Sequence, residues 1–182
     1  MNVERTPLTD VLLIRPTVFG DARGYFLESF NQREFAAATS CAAVFVQDNQ
    51  SRSMAGVLRG LHYQLGVRAQ GKLVRVLSGE IFDVAVDLRR SSPQFGRWTA
   101  VTLKATEHTQ LWIPEGFAHG FLVLSDSADV LYKTTDYYSP DDERSIRYDD
   151  PSIGITWPDG CEIILSSRDA AAGTLADAEV FS

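Results

Sequence analysis

Three side chains in this sequence are of types that can move a proton beside a carbonyl. His62 sits in "GVLRGLHYQ", Lys72 in "AQGKLVRV" and Tyr132 in "ADVLYKTTDYY". An imidazole can take a proton near neutral pH, an ammonium can hold the negative oxygen that develops on the carbonyl, and a phenol can return a proton. If base and acid stand on opposite faces of a substrate, removal and return of the proton invert the carbon without a cofactor. Each residue also has a plainer reading. A histidine in an apolar strand is often a core residue satisfied by one hydrogen bond, a lysine at a strand edge usually snorkels to water, and a buried tyrosine usually fills a core. Taken singly none is persuasive; together they have the parts for proton abstraction. The other histidines are His119, in "PEGFAH", and His108, which reads as solvated in the polar stretch "KATEHTQ".

These residues lie in short runs rich in Val, Ile, Leu, Phe and Tyr, separated by Gly, Pro, Asp and Ser, which is an all-β pattern. Strand alternation places Gly60, His62 and Gln64 on one face, and Lys72, Val74 and Val76 on one face of another strand. The same alternation sets Arg59 opposite to His62 unless the chain bends at Gly60. In "LSGEIFD", two strands meet at a tight turn over Ser78 to Glu80, with Gly79 free to take a positive φ. Two short helices are expected, one at "NQREFAAA" and one at "SRDAAAGTLADA", the second broken at Gly173. Many short strands in one compositional regime favour a double-sheet barrel or jelly roll, whose interior can hold a ligand.

The chain has 182 residues, 45% of them hydrophobic and 23% charged, enough for one domain with a sizeable core. A net charge of -7 and a pI near 4.9 argue against nucleic acid or an anionic membrane as partner. A local arginine pocket for a small anion remains compatible with that field. Cys41 and Cys161 stand far apart with no CxxC or zinc spacing, as for buried thiols in a reducing compartment. The N-terminus lacks a basic head followed by an apolar run, and no apolar stretch approaches about 18 residues, so a soluble cytoplasmic protein is expected. There is no GxGxxG after a strand, no P-loop, no GxSxG elbow and no HExxH, which disfavours Rossmann, kinase, serine hydrolase and zincin chemistry.

At fold level the sequence resembles cupins, whose metal sites usually take an HxH pair, a following Glu and a later PxGxxH motif. "PEGFAH", Pro114 to His119, fits the last motif, but the HxH position reads His62, Tyr63, Gln64. The Glu position, seven residues before the turn Gly79, is Lys72. A protonated lysine cannot ligate and repels a divalent ion, so no metal is expected, and a metal-dependent cupin oxygenase is a remote alternative.

Longer stretches carry a more specific likeness. "GVLRGLHYQ", "AQGKLVRVLSGEIFDVAVDLRRSSPQFGRW", "LWIPEGFAHGFLVLSD" and "VLYKTTDYYSPDDERSIRYDDP", flanked by "FGDARGYFLESF" and "LSSRDAAAGTLADA", closely resemble the dTDP-4-dehydrorhamnose 3,5-epimerase family over nearly the whole chain. The resemblance implies a cupin-like jelly-roll homodimer. It inverts C3 and C5 of a dTDP-4-keto-6-deoxyglucose with no metal or nicotinamide, giving dTDP-4-keto-L-rhamnose. It also implies a single epimerase domain over residues 1–182, with N-terminal strands to about residue 50 exchanged at the dimer interface. The C-terminal segment from about residue 160 would fold back over the barrel mouth. On this likeness His62 is the base, Tyr132 the acid, Lys72 the enolate stabiliser and Asp169 the carboxylate that orients the base, although Asp169 alone reads as a helix cap. Asp83 is a further carboxylate that could hold Lys72 charged. Arg59 and Arg23 fall at positions that meet the diphosphate, while Phe19, Phe26, Glu28, Gln47, Asn49 and Tyr138 fall around the nucleoside. His119 is placed near the base or diphosphate, or behind the PxG turn, and Arg23 and Phe26 are candidates to serve the partner's site. Small departures are Leu65, Gly66 and Val67 where many relatives have prolines, and Arg168 where lysine is common. Two other readings stay open at this point: a single-site C3 or C5 epimerase of an antibiotic-sugar pathway, and a non-catalytic nucleotide-sugar binding module.

Overall fold

A computed structural model describes residues 1–160 and 162–182; Cys161 lies outside the described residues. In chain order the elements are β1 (Asn2–Arg5), β2 (Leu12–Arg15), β3 (Val18–Asp21), β4 (Gly24–Leu27), α1 (Gln32–Thr39), β5 (Gln47–Met54) and β6 (Leu58–Gln64). They continue with β7 (Lys72–Ser78), β8 (Glu80–Asp87), β9 (Trp98–Lys104), β10 (Gln110–Ile113), β11 (Phe117–Val123), β12 (Ser127–Thr134), β13 (Glu143–Ser145) and α2 (Ser167–Ala170). A six-stranded sheet of order β1-β2-β10-β7-β12-β5 faces a five-stranded sheet of order β13-β6-β11-β8-β9, and β3 and β4 form a separate hairpin. The fold is a cupin-like jelly-roll barrel with antiparallel pairing in both sheets.

Period-two alternation explains which side chains meet. Val74, Val76, Leu111, Ile113 and Val130 of the larger sheet pack against Ile81, Ala85, Leu103 and Phe121 of the smaller one. The same alternation turns Lys72, Tyr132, Gln47 and Asn49 to the interior, with Tyr132 paired to Asn49 and Thr134 to Gln47. Outside the larger sheet, α1 starts at Asn31, whose side chain accepts from the amides of Arg33 and Glu34, and buries Phe35 against Phe45 and Trp112. The outer face of the smaller sheet is covered by the C-terminal part of the chain through Ile146, Ile153 and Leu175.

Several expectations change in the structure. The turn at Gly79, with φ 81°, is where expected, but β7 and β8 do not pair with each other; the turn carries the chain from one sheet to the other. Gly79 is tightly enclosed, because a Cβ there would come within 2.1 Å of the Ser127 carbonyl oxygen. The second helix covers only Ser167–Ala170 and ends before Gly173, which instead bridges to Ile146. His108 is half-buried with its ring 4.6 Å from that of Tyr25, so its setting is an aromatic contact and not open solvent. Cys41 is half-buried with a free thiol.

Candidate active site

The arrangement begins with an irregularity in β6. His62 pairs with His119 of β11, whereas Arg59 pairs with Phe121, so three residue steps on β6 oppose two on β11. That extra residue is a β-bulge, and it brings Arg59 and His62 to line the same hollow despite their odd spacing. Gly60 makes the bulge sterically feasible: its φ is 127°, and a Cβ would lie 2.5 Å from the Gly120 Cα.

His62 stands where two hollows meet. One, of about 250 Å³, is lined by Arg59, His62, Ser166, Arg168 and Asp169. The other, of about 110 Å³, is lined by His62, Lys72, Tyr132 and Tyr138, together with Gln47, Asn49, Gln64, Gln70 and Glu143. The chain reaches the first hollow from its C-terminal part, where Ile164 bridges to Val57 beside β6 and α2 follows. Asp169 Oδ1 lies 2.6 Å from His62 Nε2, while Ser166 donates to Oδ2 at 2.9 Å. Ser166, not Asp169, is the helix cap, and it accepts from the Asp169 amide at 3.1 Å. Burial raises the Asp169 carboxyl, but the hydrogen bond and charge of His62 and the bond from Ser166 outweigh it and hold it below the usual carboxylate range. A carboxylate accepting from Nε2–H leaves the His62 Nδ1 lone pair as the basic position. The His62 side chain is 30% exposed and lines both hollows.

Lys72 is only 8% exposed and does not snorkel. Its ammonium donates to the His62 carbonyl oxygen at 3.3 Å. Burial pulls its pKa down to about 8, against the opposing charges of Glu143 and Asp83. Burial pushes the Tyr132 phenol upward; the charge of Arg59 counteracts this and that of Glu143 adds to it. A proton acceptor, a buried cation and a phenol thus line one connected space, the set required for carbanion chemistry beside a carbonyl.

At the mouth, the Gln47 amide bonds to Asn49 and accepts from the Tyr138 backbone N–H, while the Tyr138 hydroxyl and Arg168 both donate to Glu143 Oε2. The aromatic face of Tyr138 is of a kind that stacks on a base, and the Arg59 fork is of a kind that grips phosphate. His119 lies opposite His62 in the sheet register, and its Nε2 is 2.6 Å from Asp83 Oδ1. Neither His119 nor Asp83 lines the two hollows. The hydrogen bond of Asp83 therefore goes to His119 rather than to Lys72, although its charge still favours the ammonium.

Phe19, Arg23 and Phe26 belong to the β3–β4 hairpin, and they line a hollow of their own rather than the space at His62. Phe19 and Phe26 are 62% and 69% exposed, and Arg23 is held by Asp21. Glu28 follows β4 and is also exposed. Among residues the sequence reading did not assign, Glu143 is the most connected. In "DDERS" it looks like part of a solvated charge run, and only its pairing with Gln64 across β13 and β6 turns it to the site. Gln64 shares the face of His62 by simple alternation, and period two alone can find it. Among the described residues, no three His, Cys, Asp or Glu side chains group as metal ligands. No described helix is long and apolar enough to cross a membrane.

A family model described as dTDP-4-dehydrorhamnose 3,5-epimerase matches residues 5–177. The chain is similar to the dTDP-4-dehydrorhamnose 3,5-epimerase of Shigella flexneri, with 56% identity over 181 residues covering 100% of this chain and 99% of that one. It is 54% identical to the protein of the same name from Pseudomonas aeruginosa, covering 100% and 99%. In structure it is similar to dTDP-6-deoxy-D-glucose-3,5-epimerase from Legionella pneumophila Philadelphia 1, crystallised with dTDP-4-keto-L-rhamnose. The TM-score is 0.95 at 51% identity, covering 98% of this chain and 94% of that one.

Proposed function

This chain belongs to the dTDP-4-dehydrorhamnose 3,5-epimerase family, and from that premise we propose that it inverts C3 and C5 of dTDP-4-dehydro-6-deoxy-D-glucose to give dTDP-4-dehydro-L-rhamnose. The observation that carries the catalytic reading is the 2.6 Å contact of Asp169 with His62, in a space shared with Lys72 and Tyr132. His62 Nδ1 takes the proton from a carbon next to the C4 carbonyl, and the C–H electrons pass to the C4 oxygen as an enolate. The Lys72 ammonium stabilises that oxygen. Tyr132 then delivers a proton to the opposite face of the same carbon, and solvent restores the protonation of both residues. C3 and C5 both flank C4, so one cation and one base–acid pair can serve the two carbons in turn.

The whole chain works as one epimerase domain. Substrate contacts are assigned to Arg59 for the diphosphate, with Gln47, Asn49 and Tyr138 around the nucleoside. His119, held by Asp83, supports the site beside the base. Because Phe19, Arg23, Phe26 and Glu28 sit on or after an exposed hairpin, they are assigned to the site of a partner subunit in a homodimer. The enzyme is taken to work in the cytoplasm.

The test is turnover of the authentic substrate in deuterated water, with deuterium located at each carbon. Label at both C3 and C5 is the expected outcome. Label at one carbon would assign the protein to single-site epimerases, and label at neither would refute the proton-transfer reading.

A further inference from the structure

Arg59 is held differently from the ion-paired arginines of this chain. Arg23, Arg52, Arg89 and Arg168 are each fixed by a carboxylate that also offsets their charge. The Arg59 Nε donates instead to the hydroxyl of Ser53 at 2.9 Å, and no carboxylate pairs with Arg59 among the described residues. Ser53 is an inward-facing residue of β5 and is only 4% exposed. A hydroxyl is a neutral acceptor, so it fixes the plane of the guanidinium without cancelling its charge. With Nε occupied, the two terminal nitrogens form the free edge, which matches two phosphate oxygens. The β6 bulge fixes the other end of the side chain by setting the backbone of Arg59 opposite Phe121.

We propose that Ser53 is a positioning residue that aims an uncompensated Arg59 guanidinium into the hollow beside His62, where it takes the diphosphate of the substrate. The inference rests on the assignment of Arg59 to the diphosphate made above. It adds a specific division of labour to β5: Gln47 and Asn49 face the nucleoside end, and Ser53 serves the phosphate end through Arg59. The charge of Arg59 also bears on Tyr132, where it opposes the upward push of burial.

The experiment measures binding of dTDP and of thymidine, which lacks phosphate, to wild type, Ser53→Ala, Ser53→Cys, Ser53→Thr, Arg59→Ala and the Ser53→Ala/Arg59→Ala double variant. Loss of one hydrogen bond to a guanidinium is expected to weaken dTDP roughly 5- to 10-fold in Ser53→Ala. The Ser53→Cys variant, with a sulfur that accepts poorly, should behave alike and carries the test if the alanine variant folds badly. Ser53→Thr should restore binding, thymidine affinity should be unmoved in all of them, and KM for the sugar nucleotide should rise by more than kcat falls. In the Arg59→Ala background, Ser53→Ala should add nothing further. Unchanged dTDP affinity in Ser53→Ala and Ser53→Cys, with Arg59→Ala weakened, would overturn the role of Ser53 alone. Equal weakening of dTDP and thymidine would also overturn it in favour of a general structural effect. Unchanged dTDP affinity in Arg59→Ala would instead refute the diphosphate assignment on which it rests.

Discussion

Lys72→Met is expected to leave the protein almost inactive and more stable. Burial lowers the Lys72 pKa from 10.5 to about 8, so at pH 7 the folded state holds an ammonium that the unfolded state hydrates better. A drop of that size corresponds to about 3 kcal/mol of destabilisation. Methionine has similar length, fills the space without charge and removes that cost. The substitution also deletes the 3.3 Å bond to the His62 carbonyl, which costs about 1 kcal/mol. A net gain of about 2 kcal/mol at pH 7 follows. Below pH 8 both states of the wild type bind the proton and the full gap between variant and wild type is present. Between about 8 and 10.5 the unfolded state keeps the proton that the folded state has lost, so wild-type stability rises with pH and the gap closes. Urea unfolding of both proteins at several values across this range measures it. A Lys72→Met protein less stable than wild type at pH 7, or a gap that stays constant up to pH 10.5, would refute the reasoning. In the same variant kcat should fall by roughly 10²- to 10³-fold, as for loss of an oxyanion stabiliser. For the wild type, kcat/KM should decline as the pH rises through about 8, because the ammonium loses its charge there.

Asp169→Asn keeps the shape beside His62 but removes the charge that supports the imidazole, so kcat should drop on the order of 10²- to 10⁴-fold, measured as deuterium uptake into substrate. Thermal unfolding of that variant should shift downward, because the ionised carboxylate that His62 and Ser166 favour in the folded state is lost. Mixing inactive Arg23→Ala and His62→Ala subunits should regenerate activity if the hairpin serves the partner, because one site of each mixed dimer then has both residues intact; a mixture no more active than its components would place Arg23 in its own subunit's site. Gly60→Ala should destabilise by more than about 2 kcal/mol in chemical denaturation, since the new Cβ would meet backbone of β11 at 2.5 Å.

Local alternation made much of this architecture legible, because side-chain direction in a strand is fixed two residues at a time. Within β5 the residues at 47, 49, 51 and 53 are buried or half-buried and those between them are exposed, so Gln47 and Asn49 turn to the same face as Ser53. Alternation carries no information on which strand pairs with which, so the passage from one sheet to the other at Gly79 was not readable from "LSGEIFD". The relation of Arg59 to His62 was readable only as a conflict of parity. Its resolution depends on how closely Gly60 and Gly120 approach, which is a property of two strands far apart in sequence. The contact of His62 with Asp169 spans 107 residues and leaves no local trace; the family resemblance, not the pattern, pointed to it.

Even with both ends known, residue type would not have selected the base. His62 and His119 face each other across adjacent strands, and each ring binds an aspartate oxygen at 2.6 Å through Nε2. The chemistry of the two pairs is the same, and the exposure is not: 30% for the His62 side chain against 8% for that of His119. Asp169 also receives a second donor, Ser166, whereas the other oxygen of Asp83 is buried without a partner. A fully satisfied carboxylate stays in place while its histidine changes protonation state, which a cycling base requires. His62 lines the space that Lys72 and Tyr132 share and His119 does not, and so the choice of base is made by which of two like rings the fold exposes to that space.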